Sequence, residues 1–249
     1  MDAIERLMGN RPLVWGRNGV VGTAWEELYS YDQPLDWPTI LPAAAKVDVT
    51  SSSAADTSAG TGARTIELVG LDGNYKFQSE ILSMNGQTIV TSALFYLRLF
   101  SADVKTPGSG GVNAGDIHIV KTGTGGTYTA GVPGTLTSAL LKVLAGYGSG
   151  MSGIFTTPAG TAYMLQSIIA GCRTQAGVLG VFKQDLGAGG ALKIVHPIDM
   201  GSATSTFYDL EWCGQIITFK EKTDIRLRGI GAAASAVMSA TMALRKTDG

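Results

Sequence analysis

The stretches VDVTSSSAADT at residues 47–57 and GDIHIV at residues 115–120 bound the part of the chain that decides the fold. Between them, short runs that alternate apolar and polar residues are separated by clusters of Gly, Asn, Asp and Ser. This pattern is typical of half-buried antiparallel strands that are joined by tight turns. The sequence therefore predicts a β-meander over residues 47–120, without a helix of normal length.

Two dipeptides predict where this meander reverses. The alternating run 64–69 is followed by Asp-Gly at 72–73, which is the strongest short-range signal for a hairpin. Residues 77–84 then read as the returning strand, and Asn-Gly at 85–86 predicts a second turn of the same kind. At least three consecutive antiparallel strands are expected here.

The order of short motifs in this stretch resembles a domain that recurs in virion proteins of tailed bacteriophages, especially aquatic ones. The motifs that carry the resemblance are SSAADT (52–57), GTGART (60–65), GLD (70–72), Glu80, NG (85–86), FYLR (95–98) and NAGDI (113–117). The resemblance covers about seventy residues. It implies a structural role in a virion and brings no established active site with it.

The composition excludes several classes of function. Of 249 residues, 45% are hydrophobic and only 16% are charged, against about a quarter in typical domains, which indicates a surface that meets other protein. The net charge of -1, without a cluster of Lys and Arg, argues against nucleic-acid binding. No apolar run is long enough to span a membrane as a helix. Cys172 and Cys213 both lie in apolar strand patterns and are expected to be buried free thiols.

Residues 1–45 are predicted to form an extended N-terminal arm. This segment is rich in aromatic residues and prolines, a combination that disfavours an independent core. Its large aromatic side chains either cover the edge of the β domain or anchor on a neighbouring subunit, and the sequence leaves both open. The interface candidates are Trp15, Trp25, Tyr29, Tyr31 and Trp37.

Three further segments follow the arm. Residues 46–130 are predicted to form a β-meander or sandwich domain, and residues 131–150 a linker in which 136–147 is a short helix, because its apolar residues recur at helical spacing. Residues 151–249 contain eight or so strand patterns at roughly ten-residue spacing, which is typical of a sandwich or jelly roll.

Catalytic chemistry is not expected. His118 and His196 are the only histidines, and neither has a Cys, Asp or Glu partner at a metal-ligand spacing, so no metal or cofactor is predicted. Alternation points His118 away from its two isoleucine neighbours, toward solvent or a partner. Paired carboxylates beside aromatic rings suggest one alternative, a groove that contacts glycan. Its residues would be Tyr208, Asp209, Glu211 and Trp212.

The sequence thus predicts an all-β protein, an antiparallel β-sandwich or jelly roll with an N-terminal arm and one short linking helix. The function predicted is that of a non-catalytic virion structural protein, assembled in the host cytoplasm, that decorates a capsid as a homo-oligomer, with a trimer favoured. Its expected partners are further copies of itself and the major capsid protein or other virion proteins, and neither nucleic acid nor membrane. The alternative is a tail, collar, baseplate or fibre component that recognises a carbohydrate receptor.

Overall fold

The computed structural model describes residues 11–29, 41–202, 204–209, 216–233 and 235–247, with only the backbone described for 204–209. These residues form twenty β-strands, numbered here in chain order, and every pairing between them is antiparallel. No helix occurs in the described part of the chain, so the predicted all-β class is confirmed.

The strands fall into two compact units that differ from the predicted segments. A discontinuous unit comprises Met1–Pro34 and Ser152–Gly249, and an inserted unit comprises Leu35–Met151. The strands of the discontinuous unit are β1 (Leu13–Val21), β2 (Glu26–Glu27), β13 (Ile154–Thr156), β14 (Ala162–Cys172), β15 (Gly177–Asp185), β16 (Lys193–Met200), β17 (Thr204–Asp209), β18 (Ile217–Phe219), β19 (Thr223–Gly231) and β20 (Ala236–Thr247). Those of the inserted unit are β3 (Val47–Ser51), β4 (Ala63–Leu71), β5 (Phe77–Ser83), β6 (Val90–Thr91), β7 (Arg98–Pro107), β8 (Ile117–Lys121), β9 (Tyr128–Thr129), β10 (Val132–Pro133), β11 (Ala139–Val143) and β12 (Ser149–Met151).

The discontinuous unit is a sandwich of two sheets. One sheet has the order β1-β20-β14-β17 with β18 also on β14, and the other has the order β13-β19-β15-β16 with β2 also on β19. The ring centroids of Phe155 in one sheet and Tyr163 in the other are 5.2 Å apart, and both rings are buried. The two inner faces therefore share one apolar core, whereas the jelly-roll connectivity stays a prediction.

Buried and more exposed residues alternate along β14 and β20, and this alternation shows which face of the sheet packs on the core. In β14, Ile168, Ala170 and Cys172 are buried, and Cys172 is a free thiol as expected. In β20, Met238 and Met242 are buried in the same way. Because successive strand residues point to opposite faces, the residues between them lie on the outer face. Cys213 lies outside the described residues.

The inserted unit contains two four-stranded sheets, ordered β11-β8-β3-β6 and β12-β7-β4-β5, and the small hairpin β9–β10. Strand β3 is buried along its whole length, which the polar residues in it permit because each is hydrogen-bonded. Asp48 accepts hydrogen bonds from Thr91 and Thr122, and the hydroxyl of Thr50 donates to the carbonyl of Gly131. The buried carboxylate and hydroxyl groups of β3 therefore all have hydrogen-bond partners.

The Asp-Gly hairpin is present, but its loop is longer than the predicted two residues. Strands β4 and β5 pair from Thr65–Ser83 to Leu71–Phe77. Asp72 Oδ1 accepts from the backbone N–H groups of Asn74 and Lys76, and Tyr75 rather than Gly73 has a positive φ, of 60°. The carboxylate of Asp72 therefore closes a longer turn than the type predicted from the dipeptide.

The predicted helix over residues 136–147 is wrong, because this segment contains strand β11. Strand β11 pairs with β8 from Ala139–Val120 to Val143–Ile117. Leu140 and Leu141 are adjacent and both buried, and the pairing register shifts between Ala139 and Leu141, so the strand lacks a simple alternation. A short apolar run of this kind fits a buried strand as well as a helix, and its length favours the strand.

Of the segment predicted as an arm, residues 11–29 are part of the discontinuous unit, and residues 41–45 belong to the inserted unit. Strand β1 pairs with β20 from Leu13–Ala243 to Val21–Ala236, and β2 pairs with β19. Val14, Leu28 and Tyr29 are fully buried. The chain therefore enters the sandwich first, leaves it for the inserted unit, and returns at Ser152 to complete both sheets.

Candidate functional site

The outer face of the sheet β1-β20-β14-β17 is the candidate functional surface, and is called the Trp15 face below. Three adjacent strands contribute to it in aligned rows: Trp15 of β1 lies opposite Thr241 of β20, which lies opposite Ile169 of β14. Its described residues are Leu13, Trp15, Arg17, Ser167, Ile169, Gly171, Ser239, Thr241 and Ala243.

The sizes of the side chains determine the shape of this face. Small residues of β20 form the floor of a groove of about 320 Å³, and Trp15, Arg17 and Ile169 form its walls. Ile169 is 53% exposed, Leu13 is 41% exposed, and Trp15 is half-buried. Arg17 is the charged side chain at the groove, and Arg245 of β20 lies further along the same face. The groove is thus an apolar, weakly charged strip across three strands.

The structure separates the five aromatic residues predicted as interface candidates. Trp15 alone among the described ones lies on this outer face. Trp25 packs edge-on against Phe182, with ring centroids 4.9 Å apart, and Tyr29 is fully buried. Tyr31 and Trp37 lie outside the described residues.

The residues predicted for a glycan groove are only partly described. Tyr208 and Asp209 belong to β17, where they pair with Ile168 and Ser167 of β14, and their side chains are not described. Glu211 and Trp212 lie outside the described residues. By register, Asp209 continues the row of Ser167 and Ala243, so its position is on the outer face of the same sheet.

A buried ion-pair cluster joins β2 to β19, and sequence reasoning did not find it. Glu27 Oε1 lies 3.2 Å from Arg228 Nε and 3.4 Å from Arg226 Nη1. Arg226 also lies 3.4 Å from Asp224 Oδ2 and donates to Gln184 at 3.0 Å. Burial raises the pKa of Glu27, and the two guanidinium groups oppose this rise.

This cluster fixes the second strand in place. A buried carboxylate needs opposite charges and hydrogen bonds, and removing one partner leaves an uncompensated buried charge. The alternation Arg226-Leu227-Arg228, with Asp224 two residues earlier, was the signal in the sequence. Its partner Glu27 is about two hundred residues away along the chain, so the pairing was not visible before the topology.

His118 is buried at 5% exposure, contrary to the expectation that it faces solvent or a partner. The alternation itself is correct, but both faces of β8 are covered. Burial lowers the pKa of His118 to about 4, with Asp116 raising it and Lys142 lowering it. The neutral imidazole is therefore the form that the folded inserted unit holds.

Acidification is expected to destabilise the inserted unit through His118. The unfolded chain binds the proton near the ordinary pKa of 6.5 and the folded chain only near 4, so stability falls as the pH drops through this window. The loss is about 3 kcal/mol below the folded pKa, because each pKa unit corresponds to about 1.4 kcal/mol. Urea unfolding at pH 7, 5.5 and 4, compared between the wild type and His118→Gln, measures it. An equal pH dependence in both proteins would contradict the assignment.

In the part of the chain that the structure describes, no group of three or more His, Cys, Asp or Glu side chains is arranged to hold a metal ion. No described helix is both long enough and apolar enough to cross a membrane.

Comparisons with known proteins give no family. No protein-family model matches the chain, and no curated protein sequence matches it. Among solved structures, the infectious bursal disease virus Gx strain shares 13% identity over 96% of this chain and 68% of that chain, with a TM-score of 0.26. The T=1 particles derived from infectious bursal virus share 12% identity over 94% of this chain and 65% of that chain, with a TM-score of 0.25. These scores are too low to carry an argument about fold or function.

Proposed function

We propose that the chain is a non-catalytic structural subunit of a virion and that it acts as a homo-oligomer. The Trp15 face is the observation that carries this proposal. An antiparallel sheet with one face on the core commonly has polar residues on the other face. Here the second face also presents a tryptophan and two exposed aliphatic side chains, beside Arg17 and the small residues of β20. Contiguous exposed apolar surface of this kind marks protein–protein contact.

The chemistry of the face suits a second copy of the chain. Tryptophan is enriched among the residues that dominate binding energy, and charged residues are depleted at interface cores. The groove floor of Ser239 and Thr241 admits a large side chain from a partner. The resemblance of residues 47–120 to phage virion proteins supports the same role. A trimer is the expected state.

Replacing Ile169 by aspartate tests the assembly. The change places a carboxylate at the centre of the proposed contact, where an unpaired buried charge is strongly unfavourable. We expect sedimentation velocity to show an oligomer for the wild type and a 25.9 kDa monomer for Ile169→Asp at micromolar concentration. We expect the substitution to lower the association constant at least a hundredfold, which corresponds to about 2.7 kcal/mol of association free energy.

A matched control is available in the inserted unit. Ile81 on strand β5 is 54% exposed, so Ile81→Asp changes the same residue type at the same exposure away from the Trp15 face. It is expected to leave the oligomer intact. Identical sedimentation of Ile169→Asp and the wild type would reject the Trp15 face as the contact.

The position proposed within the virion is the capsid surface, where the subunit acts as a decoration protein. A site on the tail, collar or baseplate is the alternative. Cryo-electron microscopy of particles that carry a tagged chain distinguishes the two, since decoration predicts regular density on the shell. Density confined to the tail would overturn the capsid position while leaving a structural role.

A further inference from the structure

A cleft at one end of the discontinuous unit lies between its two sheets. Strands β15 and β16 and the turn between them line one side, and strand β18 with the following turn lines the other. The cleft has a volume of about 380 Å³, within the range of pockets that hold small molecules. Its described lining residues are Lys183, Asp185, Ala188, Gly190, Ala191, Lys193, Thr218, Phe219, Lys220 and Thr223.

The lysines reach this cleft from positions that continue the core. Along β15, Leu179 and Val181 are fully buried, and Lys183 and Asp185 follow at the next alternate positions. The period of two places all four side chains on the inner face of the sheet. Lys183 is half-buried and lines the cleft, as is usual for a lysine that covers apolar surface with its stem and keeps its ammonium group in solvent.

The arrangement concentrates positive charge. Lys183 and Lys193 are directly opposite each other in the pairing of β15 with β16, and Lys220 approaches from the other sheet. Like charges at directly opposed positions of a sheet are destabilising. Asp185 is the one acidic residue among the lining residues, and its Oδ1 accepts a hydrogen bond from the backbone N–H of Ala188 at 3.0 Å.

The neighbouring charges do not cancel this excess. Glu221 accepts a hydrogen bond from the backbone N–H of Gly160 at 2.6 Å, and Lys246 lies on the other side of Lys220, in an adjoining groove. The described ion pairs of the chain involve Lys105, Arg226 and Arg228, and none of the three cleft lysines. Three lysines and one aspartate leave an excess of two positive charges on the lining.

We infer that this cleft binds a small anionic ligand, one that carries a phosphate or carboxylate group on a body of about monosaccharide size. The anion lies between Lys183, Lys193 and Lys220 and relieves their mutual repulsion. The hydroxyl of Thr218 and the glycine-rich turn line the space for the rest of the ligand. The inference goes beyond the structural role proposed above and does not depend on assembly through the Trp15 face.

Isothermal titration of the full chain with inorganic phosphate, glucose 6-phosphate, glucuronate and neutral glucose tests the inference. Binding of at least one anion, weakened by added salt, is expected, because salt screens exposed charges. Lys183→Gln with Lys193→Gln is expected to weaken binding at least a hundredfold, about tenfold per charge-assisted contact. Preference between phosphate and uronate identifies the anionic group.

The control variant is Lys76→Gln, an exposed lysine in the β4–β5 turn of the inserted unit, which is expected to bind as the wild type does. Sedimentation of the double variant is expected to match the wild type, which separates this site from the Trp15 face. Equal affinity in the wild type and the double variant would overturn the inference. So would glucose binding as tightly as the anions, or no binding of any anion at about 10 mM, tenfold above a millimolar Kd.

Discussion

Asp56→Ala is expected to destabilise the inserted unit by about 4 kcal/mol, because one buried carboxylate accepts hydrogen bonds from four donors. Its Oδ2 accepts from the hydroxyl of Ser51 at 2.5 Å and from the N–H of Gly115 at 2.9 Å. Its Oδ1 accepts from the N–H groups of Ala63 at 2.6 Å and Ala114 at 2.8 Å. The side chain of Asp56 is fully buried.

The effect is large because the donors come from three separate parts of the chain. Ala114 is 58 residues from Asp56 in sequence, so the carboxylate links the end of β3 and the start of β4 to the loop that precedes β8. Alanine leaves three backbone N–H groups and a hydroxyl without this acceptor, and the donors of Ser51, Ala63 and Gly115 are buried. Each hydrogen bond to a charged group contributes about 1.5–3 kcal/mol, and water that enters the cavity recovers part of the loss.

Urea unfolding measures this loss of stability, and hydrogen exchange of the amides in β4, β7 and β8 assigns it to the inserted unit. Asp72→Ala is the control, because Asp72 also accepts from two backbone N–H groups, but in an exposed turn. About 1 kcal/mol is expected there, near the net value of an ordinary hydrogen bond. If Asp56→Ala lost no more stability than Asp72→Ala, the four hydrogen bonds to Asp56 would contribute little to the stability of the inserted unit.

Gly16→Ala is expected to destabilise the discontinuous unit by about 4 kcal/mol, beyond the usual 1–3 kcal/mol for overpacking. A Cβ at Gly16 would lie 2.0 Å from the carbonyl oxygen of Leu28, and a Cβ at Gly153 would meet the same oxygen at 2.0 Å. The backbone of Leu28 is thus held between two glycines. It has little freedom to move, since its N–H donates to the carbonyl of Leu227 at 2.8 Å.

The matched control for this prediction is Gly187→Ala in the same unit. The nearest atom to a Cβ at Gly187 is 3.5 Å away, an ordinary contact, so a change within about 0.5 kcal/mol is expected for this exposed turn. The free energies of unfolding of both variants follow from urea titration. Equal stability of Gly16→Ala and Gly187→Ala would mean that Leu28 moves aside without cost.

Local patterns were enough to predict many of the strands, but the predicted meander is wrong beyond its first hairpin, because β5 and β6 lie in different sheets. The alternation in β4, β14 and β20 was visible because one face of each pattern is apolar, and the Asp-Gly pair marked the first hairpin correctly. Segment 136–147 misled because three consecutive buried residues at the register shift of β11 interrupt the alternation that separates a strand from a helix.

The placement of the N-terminal residues could not be predicted from local pattern. Strand β1 pairs with β20, more than two hundred residues away, and nothing local to LVWGRNGVV identifies that partner. The prolines and aromatics of residues 1–45 suggested an arm, whereas a polar residue such as Asn18 is buried there because its side chain donates to the carbonyl of Glu27. Of the interface candidates, Trp15 was found by composition, but Ile169 became part of the site only through the register of β14.

The most direct test of the proposed assembly is hydroxyl-radical footprinting of the wild-type chain at nanomolar and at micromolar concentration. We expect Leu13, Trp15 and Ile169 to lose reactivity together as the concentration rises, because association covers the Trp15 face. Tyr147 of the inserted unit, 67% exposed, should react equally at both concentrations. Unchanged reactivity of Trp15 and Ile169 in a sample that sediments as an oligomer would contradict the account.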